Sequence, residues 1–185
     1  MTTREQMRSA AFPLIAEHGV AGTTLAQIAA AAGTTEQEVR AEFAEPVALL
    51  LDNDHYPRLL EIFVAESAEL SPSGAWIVAL DEAASSMDAI TWQNETTRQR
   101  LATSDPAVAE HALPLALAAV EATRAAVAAR TGLPVDSPKV ASFAGALLAS
   151  VASLPSGEFS DPESWIAAHA AHNETLGVAR DRLLR

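Results

Sequence analysis

The chain has 185 residues, 49% of them hydrophobic, 5% aromatic, and a formal charge of −12. That length holds one large domain or two smaller ones, and the apolar content excludes an intrinsically disordered chain. The absence of cysteine excludes disulfides, thiolate zinc sites and cysteine nucleophiles, and the acidity removes any long-range pull towards phosphate.

The elements read as helices throughout. Helical periodicity recurs along the chain, no alternating strand pattern of useful length appears, and Ala and Leu lose little in a helix. The first helix is expected over 3–18, with Met7, Ala10, Ala11, Leu14 and Ile15 on one face, Pro13 inside it and Gly19 as its stop. A second, short helix starts at Thr23 or Thr24. Thr24 and Gln27 form a capping box, Leu25, Ile28 and Ala29 face inward, and Gly33 ends it. Thr35 and Glu38 repeat the box for a third helix, whose buried face is Val39 and Phe43. Three short amphipathic helices, the last two joined by a Gly-containing turn, make a helix-turn-helix unit.

The remaining helices are expected at 47–70 with a kink at Pro57, then 75–90, 92–102, 106–130 with a kink at Pro114, 138–154 and 162–184. The loops between them are "SPSG", "TGLPVDSP" and "PSGEFSDP". The fold class is all-α with about nine helices, divided into a head over 1–45 and a helical domain over 46–185. The N-terminus lacks the basic flank and apolar run of a signal peptide. The apolar stretches read as too short and interrupted to span a bilayer. A cytoplasmic protein without membrane partners is the expectation.

The segment "AAFPLIAEHGVAGTTLAQIAAAAGTTEQEVRAEFAEPVALL", Ala10 to Leu50, resembles the TetR family of bacterial transcriptional regulators. The "EHG", "TT", "IA" and "AG" signals and the phenylalanine before "ALL" stand at that family's spacing. "RLATSDPAVAEH" is similar to a stretch found in the ligand domains of such proteins. The resemblance implies a third helix that enters the major groove as half of a homodimer. It also implies an effector pocket in the C-terminal helices, and last two helices that pair with those of a second subunit.

On that resemblance Thr24, Thr35, Glu36, Gln37, Arg40 and Ala41 are the residues facing DNA. The outward layer departs from the family pattern. Glu36, Gln37, Glu38, Arg40, Ala41 and Glu42 stand where basic, small, hydroxyl and aromatic residues are usual, and Pro46 replaces a phosphate-binding lysine. Residues 1–50 carry three arginines against six glutamates, whereas DNA readers present a basic face. Glutamate does read cytosine N4, so acidity by itself is compatible with base contacts.

A sensor needs an apolar pocket with a few polar groups. The candidates for a small apolar effector are Phe63, Trp76, Met87, Trp92, His111 and Phe143; the bland alternative for each is ordinary core. His169 and His172 share a helix face at i, i+3, and Asp52, Asp54 and His55 form a polar cluster, but no complete metal shell is legible. No cofactor is expected. No nucleophile elbow, phosphate loop or HExxH motif occurs, so no enzyme is expected.

In the last two helices Ala144, Gly145, Ala146, Ala149 and Ala152 permit close approach, while Leu148, Val151, Trp165 and Ile166 offer apolar area. The function expected is a ligand-responsive repressor on a palindromic operator. The alternatives are a sensing or interaction module of the same fold without DNA binding, and an enzyme built on the same helices.

Overall fold

A computed structural model describes residues 3–184. Ten α-helices are present among them: α1 (Thr3–Gly22), α2 (Leu25–Ala32), α3 (Glu36–Glu42), α4 (Pro46–Leu51), α5 (His55–Ala65), α6 (Pro72–Ser85), α7 (Ala89–Ser104), α8 (Pro106–Thr131), α9 (Pro138–Ser153) and α10 (Pro162–Asp181). Single 3-10 turns lie at Ser156–Glu158 and Arg182–Leu184, and no strand occurs among the described residues. The all-α expectation is met.

The chain divides into two compact units. The first comprises Met1–Asn53 with Gln93–Leu113, the second Asp54–Trp92 with Pro114–Arg185, so α7 and α8 contribute to both. In the first unit Met7, Ala11, Phe12 and Ile15 of α1 close over Leu25 and Ile28 of α2, Val39 and Phe43, Leu49 and Leu50 of α4, and Val108 of α8. Each fully buried side chain of this size contributes roughly 1.5–3 kcal/mol by leaving water. Gly19 breaks α1 with φ 71°, ψ 169°, which makes room for one further turn before α2. Gly33 ends α2 in the left-handed region at φ 68°, where a Cβ is strained.

The second unit is built on Phe63 of α5, Trp76 and Leu80 of α6, Val127 of α8, Val140, Phe143 and Leu147 of α9, and Trp165 of α10. Tyr56 and Thr123 share a buried hydroxyl hydrogen bond between α5 and α8. Arg130 of α8 ties down the end of α5. Its Nη1 donates to the carbonyls of Phe63 (3.0 Å) and Glu66 (2.9 Å), and its Nη2 to those of Ser67 (2.9 Å) and Leu70 (3.1 Å). Its guanidinium also lies 5.4 Å from the Phe63 ring centroid. One side chain thus satisfies carbonyls that a helix end leaves open.

Two expectations are corrected. The single helix over 47–70 is two: α4 stops at Leu51, α5 starts at His55, and 66–70 is loop. Asp52 turns to ψ 115° and its carboxylate is taken by Arg4 and Arg8. Pro57 falls in the first turn of α5, where a missing N–H costs nothing. The expectation of interrupted apolar stretches fails for α8. That helix runs through Pro114 for 26 residues and is, by length and composition alone, apolar enough to cross a membrane, with a mean hydropathy of 1.4 over 18 residues. Only 17% of that window is buried, and Leu113, Leu115 and Leu117 stand exposed.

Candidate nucleic-acid interface and effector site

The third helix is set by its caps. Thr35 Oγ1 accepts from Glu38 N at 3.2 Å, and Glu38 Oε2 accepts from Thr35 N at 2.9 Å and Thr35 Oγ1 at 2.8 Å. The Thr34 hydroxyl adds a further bond. With Thr34 first among them, these donors hold the Glu38 carboxyl down to about 2. Glu38 therefore closes the box, as the sequence predicts, with its carboxylate bound to the cap although the residue is exposed. Thr24 and Gln27 make the same arrangement for α2.

Thr24, Thr35, Glu36, Gln37, Arg40 and Ala41 are all exposed, while Val39 and Phe43 are buried beneath them. The outward surface is short of free positive charge. Arg40 Nη2 lies 2.5 Å from Glu36 Oε1, one turn back. Arg4 donates to both oxygens of Asp52 (3.0 and 2.8 Å) and to Glu42 (3.0 Å), with its guanidinium 4.6 Å from the Phe43 centroid. Arg8 approaches Asp52 at 3.6 Å. The three arginines of the first fifty residues are thus engaged with carboxylates of the same unit. Sequence reading missed the Arg4 tie because its partners lie 38 and 48 residues away. Gln37 carries a donor and an acceptor, the combination that pairs with an adenine edge, and a guanidinium such as that of Arg40 is the chemistry that pairs with guanine or phosphate.

Five of the six effector candidates lie in the second unit. Phe63 and Trp76 meet edge to face at 5.6 Å and are fully buried, as is Phe143. Trp92 sits 5.7 Å from Trp165, and Met87 packs at the margin of the same core. The indole N–H groups of Trp76 and Trp92 have no hydrogen-bond partner, whereas that of Trp165 donates to the Leu154 carbonyl at 2.7 Å. His111 stands apart in the first unit. It is exposed, with Nδ1 2.9 Å from the Ala107 carbonyl and Nε2 3.1 Å from Glu45, and its pKa is raised first by Ala107 and then by Glu45.

A cleft of about 540 Å³ lies among Leu70, Pro72, Arg130, Leu133, Asp181 and Leu184, and a shallower apolar one of about 410 Å³ lies beside Pro57, Leu60 and Ala126. None of the six candidates lines either. His169 is buried against Trp165 at 4.4 Å, and burial pushes its pKa down to about 4. Among the described residues no group of three or more ligating side chains is placed to hold a metal ion.

Residues 70–176 match the family model of the MftR C-terminal domain, one of the TetR C-terminal families. The chain belongs to the TetR family. The fold agrees: the multidrug binding protein EbrR, solved with imidazole, superposes with a TM-score of 0.55 at 21% identity, over 92% of this chain and 94% of that one. A transcriptional regulator from Rhodococcus sp. Rha1 covers 99% of this chain and 94% of its own at 22% identity, with a TM-score of 0.48. Among the curated proteins the sequence has no match. The match spans C-terminal helices of the chain, and α1–α3 form the helix-turn-helix that precedes them.

Proposed function

We propose that this TetR-family regulator is a ligand-responsive repressor that binds a palindromic operator as a homodimer. Residues 1–45 act as the reading head and 46–185 as the sensing and dimerising domain, without enzymatic activity. The observation that carries the reading is α3. Its N-terminal capping box is closed, its inner face is buried, and Gln37, Arg40 and Ala41 are presented outward together. Dimerisation through α9 and α10 is in keeping with the exposed small residues Gly145, Ala149 and Ala152 on α9 and with exposed apolar positions such as Leu176 and Val178 on α10. Ala144 and Trp165 face their own core instead and leave that surface to the others. A small apolar effector bound in the second unit would shift the population between DNA-competent and incompetent states. That EbrR is a multidrug binding protein is in keeping with that role.

A second reading is a TetR-fold sensing or interaction module without DNA binding. The observation favouring it is the engagement of Arg4, Arg8 and Arg40 by carboxylates. Fluorescence polarisation on the DNA upstream of the protein's own coding sequence, across a salt series, decides between them. The repressor reading expects a specific complex whose affinity falls with salt. No specific complex and a flat salt response would leave the interaction module.

A further inference from the structure

The capping box fastens the first turn of α3, and a side chain from another helix fastens its last. The helix is seven residues long, and one shorter than about 12–15 residues is marginal without help from its surroundings. It ends at Phe43, which is extended (φ −137°, ψ 125°), with no left-handed glycine of the kind that closes α2. The help at this end comes from Arg4, in the first turn of α1. Its guanidinium lies 4.6 Å from the Phe43 ring centroid. Its Nη1 donates at 3.0 Å to Oε2 of Glu42, the last residue of α3.

The other edge of the same guanidinium is its side-on fork. Nε donates to Asp52 Oδ2 at 3.0 Å and Nη2 to Asp52 Oδ1 at 2.8 Å. Asp52 closes α4 at its C-terminus, and Arg8, one turn further along α1, approaches the same carboxylate. Arg4 thus joins the start of α1, the end of α3 and the end of α4, three helices whose inner faces already share the core of the first unit. Single surface ion pairs contribute little. A fork on both oxygens of one carboxylate, within a network, is the arrangement in which such pairs do count. The Asp52 side chain is 18% exposed, so that half of the clamp is also shielded from water.

Each of the three Arg4 nitrogens holds a carboxylate oxygen of its own unit. The outward residues Gln37, Arg40 and Ala41 end one position before Glu42, so the clamp acts directly behind them. We infer that Arg4 is a positioning residue for DNA reading, which fixes the last turn of α3, and with it that outward set, against α1 and α4. The inference rests on the repressor reading, and the two fail in different ways.

Amide hydrogen exchange on the full chain reads the clamp without DNA. Arg4→Met removes the guanidinium, and Arg4→Lys keeps the charge but loses the fork. In both, the Phe43 amide, bonded to the Val39 carbonyl at 2.8 Å, should exchange about tenfold faster or more, while the amides of α2 keep their wild-type rates. Polarisation on the upstream DNA and on a scrambled duplex of equal length reads the consequence. Both variants should lower the ratio of specific to non-specific affinity about tenfold, with an unchanged salt slope on the scrambled duplex, because no phosphate contact is lost. Glu42→Ala, at an exposed helical position, should lower the same ratio about threefold, even though losing a negative charge favours binding to any duplex.

Wild-type exchange at Phe43 in Arg4→Lys overturns the inference. So does exchange that rises equally in α2 and α3, which marks a general loss of stability. A specific complex whose affinity ratio survives in Arg4→Lys overturns it as well, and a salt slope smaller by about one in Arg4→Met then makes Arg4 a phosphate contact. If Arg4→Met does not fold, Arg4→Lys and Glu42→Ala carry the test. Faster exchange confined to α3, in a protein whose wild type forms no specific complex, keeps the clamp and removes the repressor reading.

Discussion

His169 illustrates how burial converts into a pH dependence. Its folded pKa of about 4 lies below the ordinary histidine value, first because it is desolvated, with the charges of His172 and Arg180 acting in the same direction and the Leu154 carbonyl opposing them. Between about pH 6.5 and 4 the unfolded chain takes up a proton that the folded chain refuses. The stability this group contributes is therefore complete above about pH 6.5 and is lost as pH falls towards 4, by about 3 kcal/mol in all. Urea unfolding at pH 7.5 and 4.5 should show that loss in the wild type and a smaller one in His169→Met. An equal loss in both would assign the acid sensitivity to carboxylates such as Glu38 and Asp161, whose pKa values are lowered.

At the scale of single helices, α3 separates into a buried inner layer that makes the fold and an exposed outer layer. Thr35→Ala removes the cap and should cost about 1 kcal/mol of stability, read by denaturant midpoint. Arg40→Ala should leave the midpoint nearly unchanged and abolish DNA binding. Glu36→Gln releases Arg40 from its ion pair and should tighten DNA binding, with the salt slope growing by about one phosphate contact. If Glu36→Gln changes neither, Arg40 does not meet phosphate. This layer was legible in the sequence because capping boxes and left-handed glycines act within four residues. The break after α4 was not, because its cause is Arg4, 48 residues from Asp52. The burial of Arg180, 7% exposed, was not legible either, because a cation near the end of an alanine-rich helix reads as a favourable surface charge. Picking effector candidates by aromatic size also reached residues such as Phe63 and Phe143 that are wholly buried in close-packed core.

For the molecule as a whole, exposed apolar surface and net charge pull in opposite directions. Leu113, Leu115 and Leu117 on α8, and Val178 on α10, favour association, while a charge of −12 opposes it at low salt. On the proposed pairing, the α9 face is the specific part of that association. A Cβ at Gly145 meets nothing within 4 Å and the position is exposed, so a side chain can start there without disturbing its own chain, and Gly145→Arg tests the face. Sedimentation equilibrium should find it monomeric with its helical circular dichroism intact; a dimer of wild-type strength would move the interface away from α9. Finally, Arg130 bears on how the molecule survives among proteases. A protease needs about the length of residues 66–70 drawn out as an extended strand, and four carbonyls of that stretch and its approach are already bound to one side chain. Arg130→Lys keeps the charge but loses the fork, so limited digestion should nick the chain there first and leave two helical fragments where the parent stays whole.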